Sequence, residues 1–135
     1  MVSEGLIAFA SGGDEASRNQ NEVNMLHEKL ECYKRSVNLA EALSKDGAKW
    51  PRGYGYLTDQ IRRAMASVIL NLAEGNSRLS QTERRRFFEI SRASLAEVSA
   101  CVDLMRAFGL TNIATAETFK ATLCDISKMI WGLIK

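Results

Sequence analysis

Apolar residues recur at alternating steps of four and three in four separate stretches of this 135-residue chain. That rhythm keeps side chains on one face of an α-helix. Leu26, Leu30, Tyr33, Val37 and Ala40 carry it first. Leu57, Ile61, Ala64, Val68 and Leu72 follow, a stripe that Met65 and Ile69 widen. Phe88, Ser91, Leu95, Val98, Val102 and Met105 make the third, and Phe119, Leu123, Ile126, Ile130 and Leu133 the fourth. No stretch alternates as a strand would. Four amphipathic helices on a chain of this length predict an all-α domain, an antiparallel up-down four-helix bundle.

The helix ends can be read from turn and cap residues. The first helix spans about 23–44 and stops at Asp46-Gly47. The only proline, Pro51, sets a turn with Gly53 and Gly55. Trp50, Tyr54 and Tyr56 gather around it, either as an interface anchor or as a lid on the bundle. The second helix spans about 56–74, with Gly75 as a candidate left-handed cap. Ser80 with Glu83 forms a capping box that opens a third helix running to Phe108, with Gly109 closing it. Thr115 is the N-cap candidate of the fourth. Phe87, Ser94, Cys101 and Phe108 repeat every seven residues as a second seam on the third helix, and Leu70 lies off the stripe of the second. These predict contacts beyond the protomer's own bundle, hence an oligomer.

Residues 1–22 read as a flexible N-terminal tail, which leaves 23–135 as the bundle domain. Leu6-Ile7-Ala8-Phe9 is apolar but short and lacks a basic flank, so it is not a signal peptide. No run approaches the roughly 18 apolar residues of a membrane span. Three cysteines, Cys32, Cys101 and Cys124, lie far apart without metal spacing and read as buried free thiols suited to a reducing cytoplasm.

Charge is distributed unevenly. The formal net charge is +2, but the first 24 residues set Arg18 against Glu4, Asp14, Glu15 and Glu22, so the body is the more basic part. Within 59–98 every cation is an arginine: Arg62, Arg63, Arg78, Arg84, Arg85, Arg86 and Arg92. Guanidinium stays protonated and grips phosphate in a fork, so these seven are the candidate nucleic-acid-binding residues, for RNA or DNA. The alternative is a solvated face in which Glu89 pairs with Arg85, Arg86 or Arg92 at helical spacing. Phe87 and Phe88 fit the core better than a base stack, so the sequence offers phosphate contacts without aromatic stacking.

Catalytic chemistry finds little to work with. His27 is the only histidine, and position 24 is Asn, so the Glu-x-x-His pairs of a di-iron bundle are absent. No phosphate loop, nucleophile elbow or zinc-binding helix motif occurs. Asn71 and Glu74 read as structural, pairing with a neighbouring helix or holding Arg62 or Arg78. The chain is thus expected to be non-enzymatic, without cofactor or metal.

Several of these residues together resemble a known family. Tyr56-Leu57-Thr58-Asp59-Gln60-Ile61-Arg62-Arg63-Ala64, Ser67, Asn71-Leu72-Ala73-Glu74-Gly75, Arg78, Ser80, Glu83, Phe87, Ser94-Leu95 and Glu97 carry the likeness. Leu30 to Lys34 and Met129 to Lys135 extend it. The chain resembles the small four-helix-bundle proteins encoded in intervening sequences of bacterial 23S rRNA genes. A related branch contains the accessory variability proteins of diversity-generating retroelements. The resemblance implies a ring-like homopentamer, a basic nucleic-acid-binding surface, no catalysis and, for the retroelement branch, a reverse transcriptase partner. The chain departs from the family at Arg84 and Arg85, where apolar residues are usual, and at Ser77 and Ala93, where glycine is usual.

Overall fold

The computed structural model describes residues 20–135, with side chains from Glu31 onward. Those residues form four helices and no strand: α1 (Gln20–Gly47), α2 (Gly55–Ser77), α3 (Gln81–Ala107) and α4 (Ile113–Ile134). Residues 20–22 of the expected tail therefore open α1, and the remainder of that tail lies outside the described residues, as does the side chain of His27.

Cross-helix pairs fix the topology. Gln60 meets Glu97, Ser67 meets Ser94 and Ser91 meets Val68, so α2 and α3 run antiparallel. Lys120 meets Ser99 and Arg92 meets Ser127, so α3 and α4 do too. α1 packs on both α2 and α4, which closes the four helices around one core. Phe88, Leu43, Leu57, Met105, Ile126 and Ile130 are its largest fully buried side chains.

Three of the expected helix stripes are buried as read, apart from Ile69 and Leu133, which are half-buried. In the first, Tyr33 is buried as expected, but the face beyond it is turned by about one residue. Cys32, Ser36, Leu39 and Leu43 face the core, while Val37 and Ala40 are only half-buried. Ser36 can take a core position because its hydroxyl donates to the Cys32 carbonyl oxygen at 2.9 Å, which leaves no polar atom unpaired.

Caps explain the helix ends. Ser80 accepts from the Glu83 backbone N–H, and Gly109, at φ 72°, closes α3. There Leu110 N donates to Met105 O and Gly109 N to Arg106 O, the paired bonds of a Schellman motif. Two expectations are corrected. Asn112, not Thr115, caps α4, its side chain accepting from the Thr115 N–H at 2.7 Å. Gly75 is not a cap, because α2 continues to Ser77. It is buried against α3, and a Cβ there would stand 2.6 Å from Phe88 Cε1. Close approach of two helices, not a left-handed turn, is what requires glycine.

The first loop resolves its two readings by residue. Trp50 packs against the core and donates from Nε1 to Asp46 Oδ2 at 3.1 Å, so it acts as a lid. Tyr54 stacks between Tyr56 and Phe108, with ring centroids 6.4 and 6.1 Å away, and Tyr56 and Phe108 remain exposed.

Cys32 and Cys101 are buried as expected, but Cys124 is exposed. It follows the buried Leu123 and so points about 100° further round the helix, away from the core. Burial pushes the Cys32 thiol from its ordinary 9.0 up to about 12 and raises Cys101 and Tyr33 as well. A thiol reagent at pH 8 should therefore modify Cys124 in the native protein while Cys32 stays protected until unfolding, as peptide mass spectrometry would show. The raised value also fixes a sign. Between pH 9 and 12 unfolded Cys32 loses a proton that folded Cys32 retains, so stability should fall across that window and not below it. Denaturant midpoints measured at pH 8 and pH 10.5 check this.

Candidate nucleic-acid interface

The short α2–α3 turn brings four of the arginines to one end of the bundle. The α2–α3 turn at residues 78–80 and the C-terminus of α4 lie together there, because α3 runs antiparallel to both neighbours. Arg78 sits in the turn, where it meets Glu74 Oε2 at 3.5 Å and stacks over Phe87 at 5.2 Å. Glu74 thus holds Arg78, as the sequence allowed, and Ser77 ties down the same turn by donating to the Glu74 carbonyl oxygen at 2.8 Å. Arg84, Arg85 and Arg86 follow in the first turns of α3, where 100° per residue sends them in three directions. Arg84 falls toward the core seam and is half-buried; Arg85 and Arg86 are exposed. Arg85 turns to α4 and donates from Nε to Ile134 O at 3.2 Å, satisfying a carbonyl at the helix C-terminus.

Two turns further along α3, Arg92 reaches the same α4 face. Its Nε donates to Ser127 Oγ at 3.3 Å, and its guanidinium lies 4.7 Å over the Trp131 ring. Arg92 and Trp131 border an open groove of about 780 Å³ between α3 and α4. Ala93, Ala96 and Glu89 line it from α3, with Leu95 and Leu123 buried beneath; Lys128 and Lys120 line the α4 side. Lys120 is already engaged, with Asp103 at 2.9 Å and Ser99 Oγ at 2.7 Å.

The seven arginines do not form one patch. Arg78, Arg84, Arg85 and Arg86 share the turn end, and Arg92 lies along the α3–α4 groove from them. Arg62 and Arg63 are exposed on α2, 15 or more residues before Arg78, hence more than about 20 Å along the helix at 1.5 Å per residue. Arg62 borders a separate apolar groove of about 230 Å³ lined by Leu43, Trp50 and Ile69. Among the described residues only Arg78 of the seven has a carboxylate partner. Glu89 pairs with none of Arg85, Arg86 and Arg92, so the solvated-face alternative lacks the ion pairs it was expected to contain.

Sequence reasoning missed Lys128, Ser127 and Trp131. They lie 35 or more residues beyond the arginine run and meet it only because α4 returns along α3. Their signal was the position of Trp131 one residue off the buried Ile130 stripe, which puts a large ring at the helix border.

The second seam of α3 also lands differently. Cys101 is buried, Phe87 and Ser94 are half-buried, and Ser94 Oγ lies 2.7 Å from Ser67 Oγ on α2. Asn71 Nδ2 donates to the Ser67 carbonyl oxygen at 2.8 Å, and Gln60 Nε2 to Glu97 Oε2 at 2.9 Å. Most of that seam is therefore spent within the protomer. The residues left exposed are Leu70, Ile90, Leu104, Phe108 and Tyr56 on α2 and α3.

The positions that carried the family resemblance thus include much of the α2–α3 contact itself: Gln60, Ser67, Gly75, Ser94 and Glu97 set its spacing and register, and Asn71 holds Ser67 from within α2. A family model described as 23S rRNA-intervening sequence protein matches residues 28–132. The chain belongs to that family. No curated protein matches it. The matched span holds all of α2 and α3 and ends just beyond Trp131, so this family member carries the α3–α4 groove within its shared domain. No helix among the described residues is long and apolar enough to cross a membrane, and no group of His, Cys, Asp and Glu there could hold a metal ion.

Proposed function

We propose that this family member is a non-enzymatic, oligomeric accessory protein that binds RNA or DNA through arginines at the α2–α3 turn and along α3. The observation that carries this reading is the set of cations without carboxylate partners. Arg85, Arg86 and Arg92 are exposed, close along one helix, and none forms an ion pair with Glu89 on the same helix. Such a surface attracts a polyanion and gains from counterion release. The family name, which refers to an rRNA sequence, is compatible with a nucleic-acid ligand. Arg62 and Arg63 lie apart from the turn and would reach the same ligand only across the bundle or from a neighbouring copy.

Self-association is the second part of the proposal, with a ring-like pentamer as the assembly the family resemblance implies. Leu70 is 56% exposed and Tyr56 60%, on helices whose inner faces are already packed. With Ile90, Leu104 and Phe108 they give α2 and α3 an apolar outer face that a second copy would cover. Native mass spectrometry at micromolar concentration should find a closed oligomer, and Leu70→Glu with Leu104→Glu should shift it toward monomer. A stable parental monomer would refute this part. For the retroelement branch the resemblance implies a reverse transcriptase partner, and co-purification with such an enzyme would identify that setting.

The functional test is binding of labelled mixed-sequence RNA and DNA by fluorescence anisotropy at low salt. Binding of both with slight sequence preference is expected, because arginines without positioned Asn or Gln read phosphates rather than base edges. No binding of either at low salt would overturn the reading.

A further inference from the structure

We propose that the α3–α4 groove binds a segment of single-stranded nucleic acid, with phosphates held by Arg92 and Lys128 and a base stacked against Trp131. The proposal rests on the nucleic-acid reading above and deepens it, since that reading concerns phosphates alone.

Arg92 is arranged for such a role. Its Nε is tied to Ser127 Oγ and its guanidinium carbon lies 4.7 Å from the Trp131 ring centroid, which together fix the fork; it makes no ion pair among the described residues, although Glu89 lines the same groove. A guanidinium held in this way loses little freedom on gripping a phosphate. Lys128 lines the same groove and makes no ion pair among the described residues. Lys120, neutralised by Asp103, marks where the attraction ends. Along α3 the next cation is Arg85, seven residues or about 10 Å from Arg92, with Glu89 between them and lining the same groove. Arg85 is likewise anchored through Nε, on Ile134 O, and makes no ion pair among the described residues.

Trp131 supplies what a phosphate track lacks. It is 44% exposed, although α4 buries Ile130 and Ile134 on either side of it. An indole at a groove edge beside two unpaired cations is the combination that single-strand binders use, an aromatic platform next to a basic channel. The small side chains of Ala93 and Ala96 on the α3 side leave room for a sugar-phosphate backbone to approach. A base in a duplex is already stacked and paired, so the groove should favour single strands, with little dependence on sequence because every base has a π-face.

Tryptophan fluorescence reads this contact. The chain has two tryptophans, so Trp50→Phe leaves Trp131 as the sole reporter. A short oligothymidylate should quench that emission saturably, and a blunt duplex of the same length at the same salt should not. Trp131→Ala should weaken single-strand binding roughly tenfold while leaving the salt slope unchanged, and Trp131→Phe should restore most of the affinity. Lys128→Glu should lower both affinity and quenching with the helical circular dichroism intact, which decides the matter should Trp131→Ala fail to fold. Oligothymidylate binding seen by anisotropy without quenching, and unaffected by Trp131→Ala, would place the strand elsewhere and overturn this proposal while the nucleic-acid reading stands. Quenching by thymidine monophosphate as strong as by the oligomer would make the groove a free-nucleotide site and overturn the strand. No binding of any nucleic acid would overturn both readings.

Discussion

Phe88→Ala should destabilise the fold by about 3–5 kcal/mol, the range for emptying a core phenylalanine site. Phe88 is the largest fully buried side chain among the described residues, and it fills the space that Gly75 leaves on α2. The two positions form one fitted contact, which makes a sharper test possible. A Cβ at position 75 would lie 2.6 Å from Cε1 and 2.8 Å from Cδ1 of Phe88, well inside van der Waals contact. Gly75→Ala gains up to about 1 kcal/mol in helix propensity, because Gly75 has helical backbone and no need of positive φ. The overlap works against that, at about 1–3 kcal/mol for overpacking. A net loss is expected because Phe88 is enclosed and cannot swing away. In a Phe88→Leu background the overlap is removed, and the same Gly75→Ala change should then become neutral or stabilising. Chemical denaturation of the four proteins gives the coupling directly. Additive effects would show that Gly75 is present for some reason other than the phenylalanine.

That contact also shows where the sequence was legible and where it was not. Periodicity identifies four helices, and the stripes of α2, α3 and α4 are buried nearly as spacing predicts. It cannot separate adjacent faces on α1, where Ser36 is buried and Val37 is not, because the deciding factor is a hydrogen bond to a carbonyl four residues back. Gly75 looks like a helix terminator in sequence, because a glycine in a cap and a glycine under an aromatic ring have the same letter. Only the partner helix distinguishes them. Likewise the arginine run is visible along the chain, but its division among the turn, the α3–α4 groove and the outer face of α2 follows from how three helices return upon one another. Trp131 is the clearest case, since its neighbour Arg92 is 39 positions away in sequence.

Removing two arginines should weaken nucleic-acid binding mainly by changing its dependence on salt. Arg85→Ala with Arg86→Ala leaves the core untouched, since both side chains are exposed. Loss of the Arg85 bond to Ile134 O frays the last turn of α4, at a cost of about 1 kcal/mol for one hydrogen bond. If each arginine neutralises one phosphate of duplex DNA, the slope of log K against log salt should become shallower by about 1.8 for every protomer engaged, at roughly 0.9 per phosphate. In an oligomer that presents several copies to one ligand the change multiplies. Low-salt affinity should then fall by orders of magnitude while helical circular dichroism and oligomer mass stay as in the parent. The ligand's base composition should matter little to the size of the effect, because phosphate contacts carry no sequence information. Arg92 and Trp131 remain in the double mutant, so any residual binding should retain a preference for single strands. A double mutant with the parental slope and affinity would show that Arg85 and Arg86 serve the helix end alone, and would move the polyanion surface to the α3–α4 groove or to Arg62 and Arg63 on α2.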